Sequence, residues 1–176
     1  MKYILDLDHT LLDTTAFADA LAKDGRGDEP VNPRMWYDYS AADYLYSDVV
    51  PWLQRIQTAD ILLLTAYTPA LGLEAEAYQR AKVDSSGLAA LVSEVVFMEG
   101  LKGVVAAEIA KQFPPHEPIV FVDDRVEQCL SVKAALPHAL CCVMRRDSET
   151  KTTAPTLEGM PVVHTLADVD AIIASL

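Results

Sequence analysis

The run Tyr3-Ile4-Leu5-Asp6-Leu7-Asp8-His9-Thr10 begins apolar and β-favouring and then delivers two carboxylates two residues apart. In an extended segment residues i and i+2 point the same way, so Asp6 and Asp8 are expected to project together. Two converging acids are costly to bury unless a cation or protons neutralise them. The chemistry this points to is that of a metal-assisted acid pair. Two further runs supply partners: Ile61-Leu62-Leu63-Leu64 leads into Thr65, and Ile119-Val120-Phe121-Val122 leads into Asp123-Asp124. Lys102 stands at the start of a predicted helix, where a helix N-terminus also favours anions.

The elements that must position these groups follow from periodicity and turn residues. Apolar runs beginning at Tyr3 and spanning 61–65, 94–98, 119–122 and 140–144 read as buried strands. Helices are predicted over 16–22, 48–57, 69–81, 103–113 and 126–136, the first capped by Asp13 or Thr14. Residues 145–160 read as a polar surface loop, Val162-Val163 as a short edge strand and 167–176 as a closing helix. Strands alternating with helices imply an α/β fold, a three-layer sandwich with a mostly parallel, Rossmann-like sheet. In such a sheet the carboxyl ends of the strands share one edge, where ligands bind. Asp6, Asp8, Thr65, Asp123 and Asp124 would all meet there.

The totals bound the function. A chain of 176 residues that is 51% hydrophobic suits one domain over 1–176 with a real core. The net charge of -12 argues against a nucleic-acid polymer as partner. It leaves a phosphorylated substrate open, because a bound cation inverts the local field. No apolar run is long enough to span a membrane, and the opening residues do not read as a secretory leader. Cys129, Cys141 and Cys142 form no Cys-x-x-Cys pair, so neither a disulfide scaffold nor a zinc site is expected, and a cytoplasmic location is.

This order of parts resembles the haloacid dehalogenase-like superfamily of phosphohydrolases. Asp6-Leu7-Asp8-His9-Thr10 is similar to its first motif, Asp-x-Asp-x-Thr; Thr65 after its strand, Lys102, and Asp123-Asp124 are similar to the second, third and fourth. The resemblance spans residues 3–124. It implies a Mg2+-dependent phosphatase in which Asp6 is the nucleophile that forms an aspartyl-phosphate and Asp8 the general acid, then base. Thr65, Lys102 and Thr10 would bind the substrate's phosphoryl group. Asp6, the backbone carbonyl of Asp8, and Asp123 would hold Mg2+, with Asp124 a ligand directly or through water. The Asp8 side chain would not be a ligand. Lys82 and Lys111 are rival lysines, but the spacing from Lys102 to Asp123 suits one helix and one strand. A small helical cap is expected over residues 14–47. An open site of this kind suits a phosphoprotein, or a phosphorylated small molecule covered by an oligomer partner. A phosphotransferase or mutase on the same site is the nearest alternative. A receiver-like phosphoacceptor domain is a third, although it carries its acceptor Asp on a later strand.

Other residues carry plainer expectations. The His9 side chain should point away from Asp6 and Asp8 and serve loop packing. Arg125 would reach substrate or pair with an acid. The aromatic patch from Trp36 to Tyr46 would pack the inserted segment onto the core or contact a ring in the substrate. Cys129 reads as a buried helix residue, and Arg145, Arg146 and Lys151 as a basic cluster on a solvated loop.

Overall fold

The computed structural model describes residues 1–146 and 155–176. Its centre is strand β1 (Lys2–Leu5), flanked by β2 (Ile61–Tyr67) and β4 (Ile119–Asp123), with β3 (Glu94–Glu99) beyond β2 and β5 (Leu140–Met144) beyond β4. These five strands are parallel, and β7 (Met160–Val163) continues them in parallel from β5. A two-residue strand β6 (Thr156–Leu157) folds back antiparallel on β7 through a turn in which Glu158 and Gly159 both have positive φ. The seven-stranded order is β3-β2-β1-β4-β5-β7-β6.

Alternation along the central strands builds two cores. Leu5, Ile61, Leu63 and Val122 face one side, and Ile4, Leu62, Leu64 and Phe121 the other. Burial on both faces is why these strands read as unbroken apolar runs. Against the first face lie α3 (Val49–Arg55), α4 (Ala75–Ser86) and α7 (Leu166–Ile173), while α1 (Thr14–Lys23) and α2 (Met35–Asp38) join the same apolar cluster with α2 packed on α4; α5 (Gly103–Ala110) and α6 (Val126–Ala135) cover the second face. Phe17 of α1 stacks on Trp36 of α2 with ring centroids 4.1 Å apart, and Trp36 meets Tyr78 of α4 at 5.6 Å. Trp36 is therefore a core residue, while Tyr37 is exposed.

Several boundaries differ from the sequence expectation for local reasons. The helix predicted over 69–81 starts later, at Ala75, because Gly72 at φ 102° breaks the chain after a tight turn at Pro69–Leu71. Asp13 caps α1 by accepting from the Ala16 N–H at 2.8 Å, which leaves the Thr14 hydroxyl for another partner. The supposed loop over 145–160 contains β6 and the start of β7; its residues 147–154, with Lys151, lie outside the described residues.

Candidate active site

The carboxyl-terminal parts of β2 and β4 and the segments after β1, β3 and β4 bring polar residues toward one edge of the sheet. β1 itself ends at Leu5, and Asp6 continues its path with its N–H on the Val122 carbonyl at 2.9 Å. The chain then turns back at His9, whose φ of 57° is left-handed. Strand alternation stops at that turn. His9 accordingly lines the same cavity as Asp6 and Asp8 rather than facing away, which corrects the expectation drawn from an extended segment.

The carboxylates of Asp6, Asp123 and Asp124 offer oxygen atoms that all lie within 4.8 Å of one another. The Lys102 ammonium sits between the first two. It is hydrogen-bonded to Asp6 and lies 2.7 Å from Asp123 Oδ2, and it is 1% exposed. Two neighbours on α6 fix that lysine. Gln128 accepts from the Lys102 backbone N–H at 2.8 Å and donates to the Gly100 carbonyl at 3.0 Å. Gly103 lies so close to α6 that a Cβ there would collide with the Ser131 carbonyl. Glycine thus lets α5 carry Lys102 under the acids.

Asp8 belongs to a second network. Lys82 donates to its Oδ1 at 2.6 Å, Thr14 to the same oxygen at 2.7 Å, and Gln79 to its Oδ2 at 2.7 Å. Gln79 also donates to Thr65 Oγ1 at 2.8 Å and accepts from Lys82 at 3.0 Å. Thr65 lies within β2 and is fully buried. Thr10 is fully buried too; among the described residues its hydroxyl has no partner, and its carbonyl accepts from Arg146 at 2.9 Å.

A cavity of about 320 Å3 opens onto Asp6, Asp8, Lys82, Lys102 and Asp124 and is lined also by Val31, Leu71, Ala75 and Tyr78; Thr65 and Thr10, expected from sequence to meet the phosphoryl group, are buried and do not line it. Arg125 lines it as well, with its guanidinium on Glu127 at 2.7 Å, so the acid-pairing expectation for that arginine holds. Arg146 is not a solvated loop residue. Its guanidinium pairs with Asp48 at 2.7 Å and lies 4.4 Å from the centre of the Tyr46 ring, bracing the Thr10 turn against α3. Arg145 reaches the Asp124 carbonyl. Cys129 is a buried helix residue, as its surroundings in the sequence suggest.

The two acids of the opening motif sit in opposite electrostatic settings. Burial pushes the Asp6 carboxyl up to about 7, with Asp123 and Asp8 adding to the rise and Lys102 opposing it. Burial and Asp6 raise Asp124 to about 6 against His9, Lys102 and Arg145. Burial raises Asp123 as well, more than Lys102 lowers it. Burial would also raise Asp8, but the Lys82 ammonium and the hydrogen bonds from Lys82, Thr14 and Gln79 outweigh it and hold that carboxyl down at about 2. Lys102, disfavoured as a cation by burial, is kept charged by Asp6 and Asp123.

These shifts fix the sign of a pH effect on the metal-free protein. Unfolded, Asp6 and Asp124 release their protons in the ordinary carboxylate range; folded, they hold them up to about 7 and about 6. The folded state therefore binds more protons across that window, and stability falls as pH rises through it. Asp8 acts oppositely, and only below the ordinary range. In EDTA the protein should melt at a lower temperature near pH 7.5 than near pH 5.5. Added Mg2+ should raise the melting temperature more at the higher pH. Thermal melts at both values check this.

The donor set fits a hard divalent cation. Three carboxylates face the single ammonium of Lys102, and oxygen ligands from Asp6, Asp123 and Asp124 are of the kind Mg2+ takes.

No protein-family model matches the chain, and neither does any curated protein. Solved structures do. A protein from Burkholderia xenovorans described as a haloacid dehalogenase-like hydrolase aligns at a TM-score of 0.67 and 17% identity, over 98% of this chain and 96% of that one. A D,D-heptose bisphosphate phosphatase from B. bronchiseptica, complexed with magnesium and phosphate, aligns at 0.65 and 20% identity over 100% of both chains. The protein tyrosine kinase A of Mycobacterium tuberculosis aligns at 0.55 and 21% identity, over 97% of this chain and 96% of that one. The fold of this chain is the haloacid dehalogenase-like fold.

Four residues of the site stand outside the sequence motifs: Thr14, Gln79, Lys82 and Gln128. Gln79 and Lys82 carry a readable signal. They lie three positions apart on the face of α4 that also buries Ala75, Tyr78 and Val83. Two polar residues within a buried helical stripe mark a site or a buried pair.

Proposed function

We propose that this protein is a Mg2+-dependent phosphohydrolase that acts on phosphate monoesters through an aspartyl-phosphate on Asp6. The observation that carries this reading is the meeting of Asp6, Asp123, Asp124 and Lys102 at the carboxyl edge of the sheet, with another acid, Asp8, held by its own lysine. Asp6, Asp123, Asp124 and the Asp8 backbone carbonyl would hold the metal. When bound, the ion would supply positive charge to the phosphoryl oxygens and keep Asp6 ionised.

The chain's own residues then divide the work. A carboxylate oxygen of Asp6 attacks phosphorus, and the bond from phosphorus to the leaving oxygen breaks. Asp8 gives a proton to that oxygen. In the second step Asp8 takes a proton from water, whose oxygen attacks phosphorus and frees Asp6 and inorganic phosphate. Lys82, Thr14 and Gln79 favour the ionised Asp8 carboxyl, the form ready for the second step. An arriving phosphate dianion beside it would favour its protonated form for the first. Lys102 neutralises charge on Asp6 and on the phosphoryl group, and the buried Thr65 hydroxyl accepts from Gln79 and so holds it beside Asp8.

The fold also occurs in a protein named as a tyrosine kinase, so transfer to a hydroxyl acceptor remains the competing reaction. Release of p-nitrophenolate and inorganic phosphate from p-nitrophenyl phosphate separates them. Hydrolysis predicts equal amounts of both with Mg2+ and neither in EDTA. Phosphate lagging behind p-nitrophenolate when an alcohol is added would favour transfer, and activity undiminished in EDTA would overturn the metal reading.

A further inference from the structure

Resting on that reading, we infer that Lys82 and Gln79 are positioning residues that hold the Asp8 side chain away from the metal-binding acids. The chemistry creates the need for them. Asp8 stands two residues from Asp6, and a free carboxylate that near a divalent ion is drawn in as another ligand. An Asp8 on the metal could not exchange protons with substrate or water. The fold meets this by giving Asp8 donors of its own, and its carboxylate lies outside the Asp6, Asp123 and Asp124 cluster. Both Asp8 oxygens are occupied, Oδ1 by Lys82 and Thr14 and Oδ2 by Gln79, at 2.6 to 2.7 Å.

The clamp is itself rigid. Lys82 is 3% exposed, and its ammonium lies 5.1 Å from the Tyr78 ring centre and 5.9 Å from that of Trp36. Gln79 is 4% exposed and ties Lys82, Asp8 and Thr65 into one network. Its two amide ends are fixed by these partners: the NH2 faces the two acceptors, and the carbonyl faces the ammonium. Burying a lysine this deeply without a task at its end would be unfavourable. Each lysine therefore serves one acid set, Lys102 the pair Asp6 and Asp123 and Lys82 the proton carrier Asp8.

The test combines a metal titration with a double-mutant cycle. Lys82→Met keeps the side-chain length and removes the charge. Calorimetry should show Mg2+ binding several-fold tighter than in the parent, because a nearby positive charge is gone and Asp8 is free to join the ligands. With p-nitrophenyl phosphate, kcat should fall by about 10²-fold, the low end for losing a general acid–base group, with KM changed less. In an Asp8→Asn background, Lys82→Met should lower kcat by less than about twofold, since it acts through Asp8. Unchanged Mg2+ affinity in Lys82→Met, or losses that multiply in the double variant, would overturn the inference. Should Lys82→Met fail to fold, Gln79→Met, which keeps the ion pair, is expected to show the same pattern with a smaller loss, and parent-like kcat and Mg2+ affinity there would refute it. Failure of the functional reading looks different: the parent itself would release no phosphate, while the Mg2+ titration would still test the clamp.

Discussion

Asp6→Asn is expected to lower turnover of p-nitrophenyl phosphate by about 10⁴-fold or more, the scale on which removing a covalent nucleophile acts. The same substitution should leave the metal-free protein at least as stable as the parent near neutral pH. Asp6 is buried beside Asp123, and burial raises its carboxyl to about 7, so ionising it costs the folded state free energy. An amide of the same shape keeps an oxygen that can accept from Lys102 and carries no charge to desolvate. Activity and stability should therefore move in opposite or independent directions, which a general disruption of the site would not produce. Initial rates and thermal melts in EDTA on the same preparations check both halves.

Lys102→Met should lower both together. Lys102 is 1% exposed, and its ammonium sits between two buried carboxylates. Its removal leaves Asp6 and Asp123 side by side with no counter-charge from the chain. Breaking a buried pair by deleting one partner costs about 3–5 kcal/mol, because the remaining charge is stranded. Urea denaturation in EDTA should show a loss of that size, reduced at low pH where the acids are protonated. Mg2+ should restore part of the stability, since it supplies charge to the same carboxylates. Turnover should stay low even with Mg2+, because nothing replaces the ammonium at the phosphoryl group. A variant with parent stability in EDTA would mean that Lys102 does not hold the two acids.

Much of this was legible in the sequence because buried parallel strands write themselves as plain apolar runs. Ile61-Leu62-Leu63-Leu64 and Ile119-Val120-Phe121-Val122 each end near a polar residue, and the shared edge of a parallel sheet then brings those residues together. The Lys102 loop was legible from its spacing to β4. Three features were not. His9 faces the cavity because the chain leaves extended geometry right after Asp8, and no residue type at that turn announces a left-handed φ as glycine would. The start of α4 was misplaced because Pro69 looks like a helix start, while Gly72 forces the break downstream. Lys82, just past the helix predicted over 69–81, reads from sequence only as a rival to Lys102, since its role depends on Asp8, a residue far away in the chain. A contact of that kind has no local pattern. Arg146 reads from sequence as a solvated loop residue for the same reason: its partners, Asp48 and the Thr10 carbonyl, come from the opening third of the chain.

Trapping the covalent species tests most directly whether the Asp6 carboxylate is the nucleophile that attacks phosphorus. The protein is mixed with p-nitrophenyl phosphate and Mg2+, quenched in acid during turnover, digested and read by peptide mass spectrometry. The account predicts one added phosphate on the peptide that contains Asp6, absent in EDTA and absent in Asp6→Asn. Full turnover with the phosphate on another residue, or with the label persisting in Asp6→Asn, would contradict it.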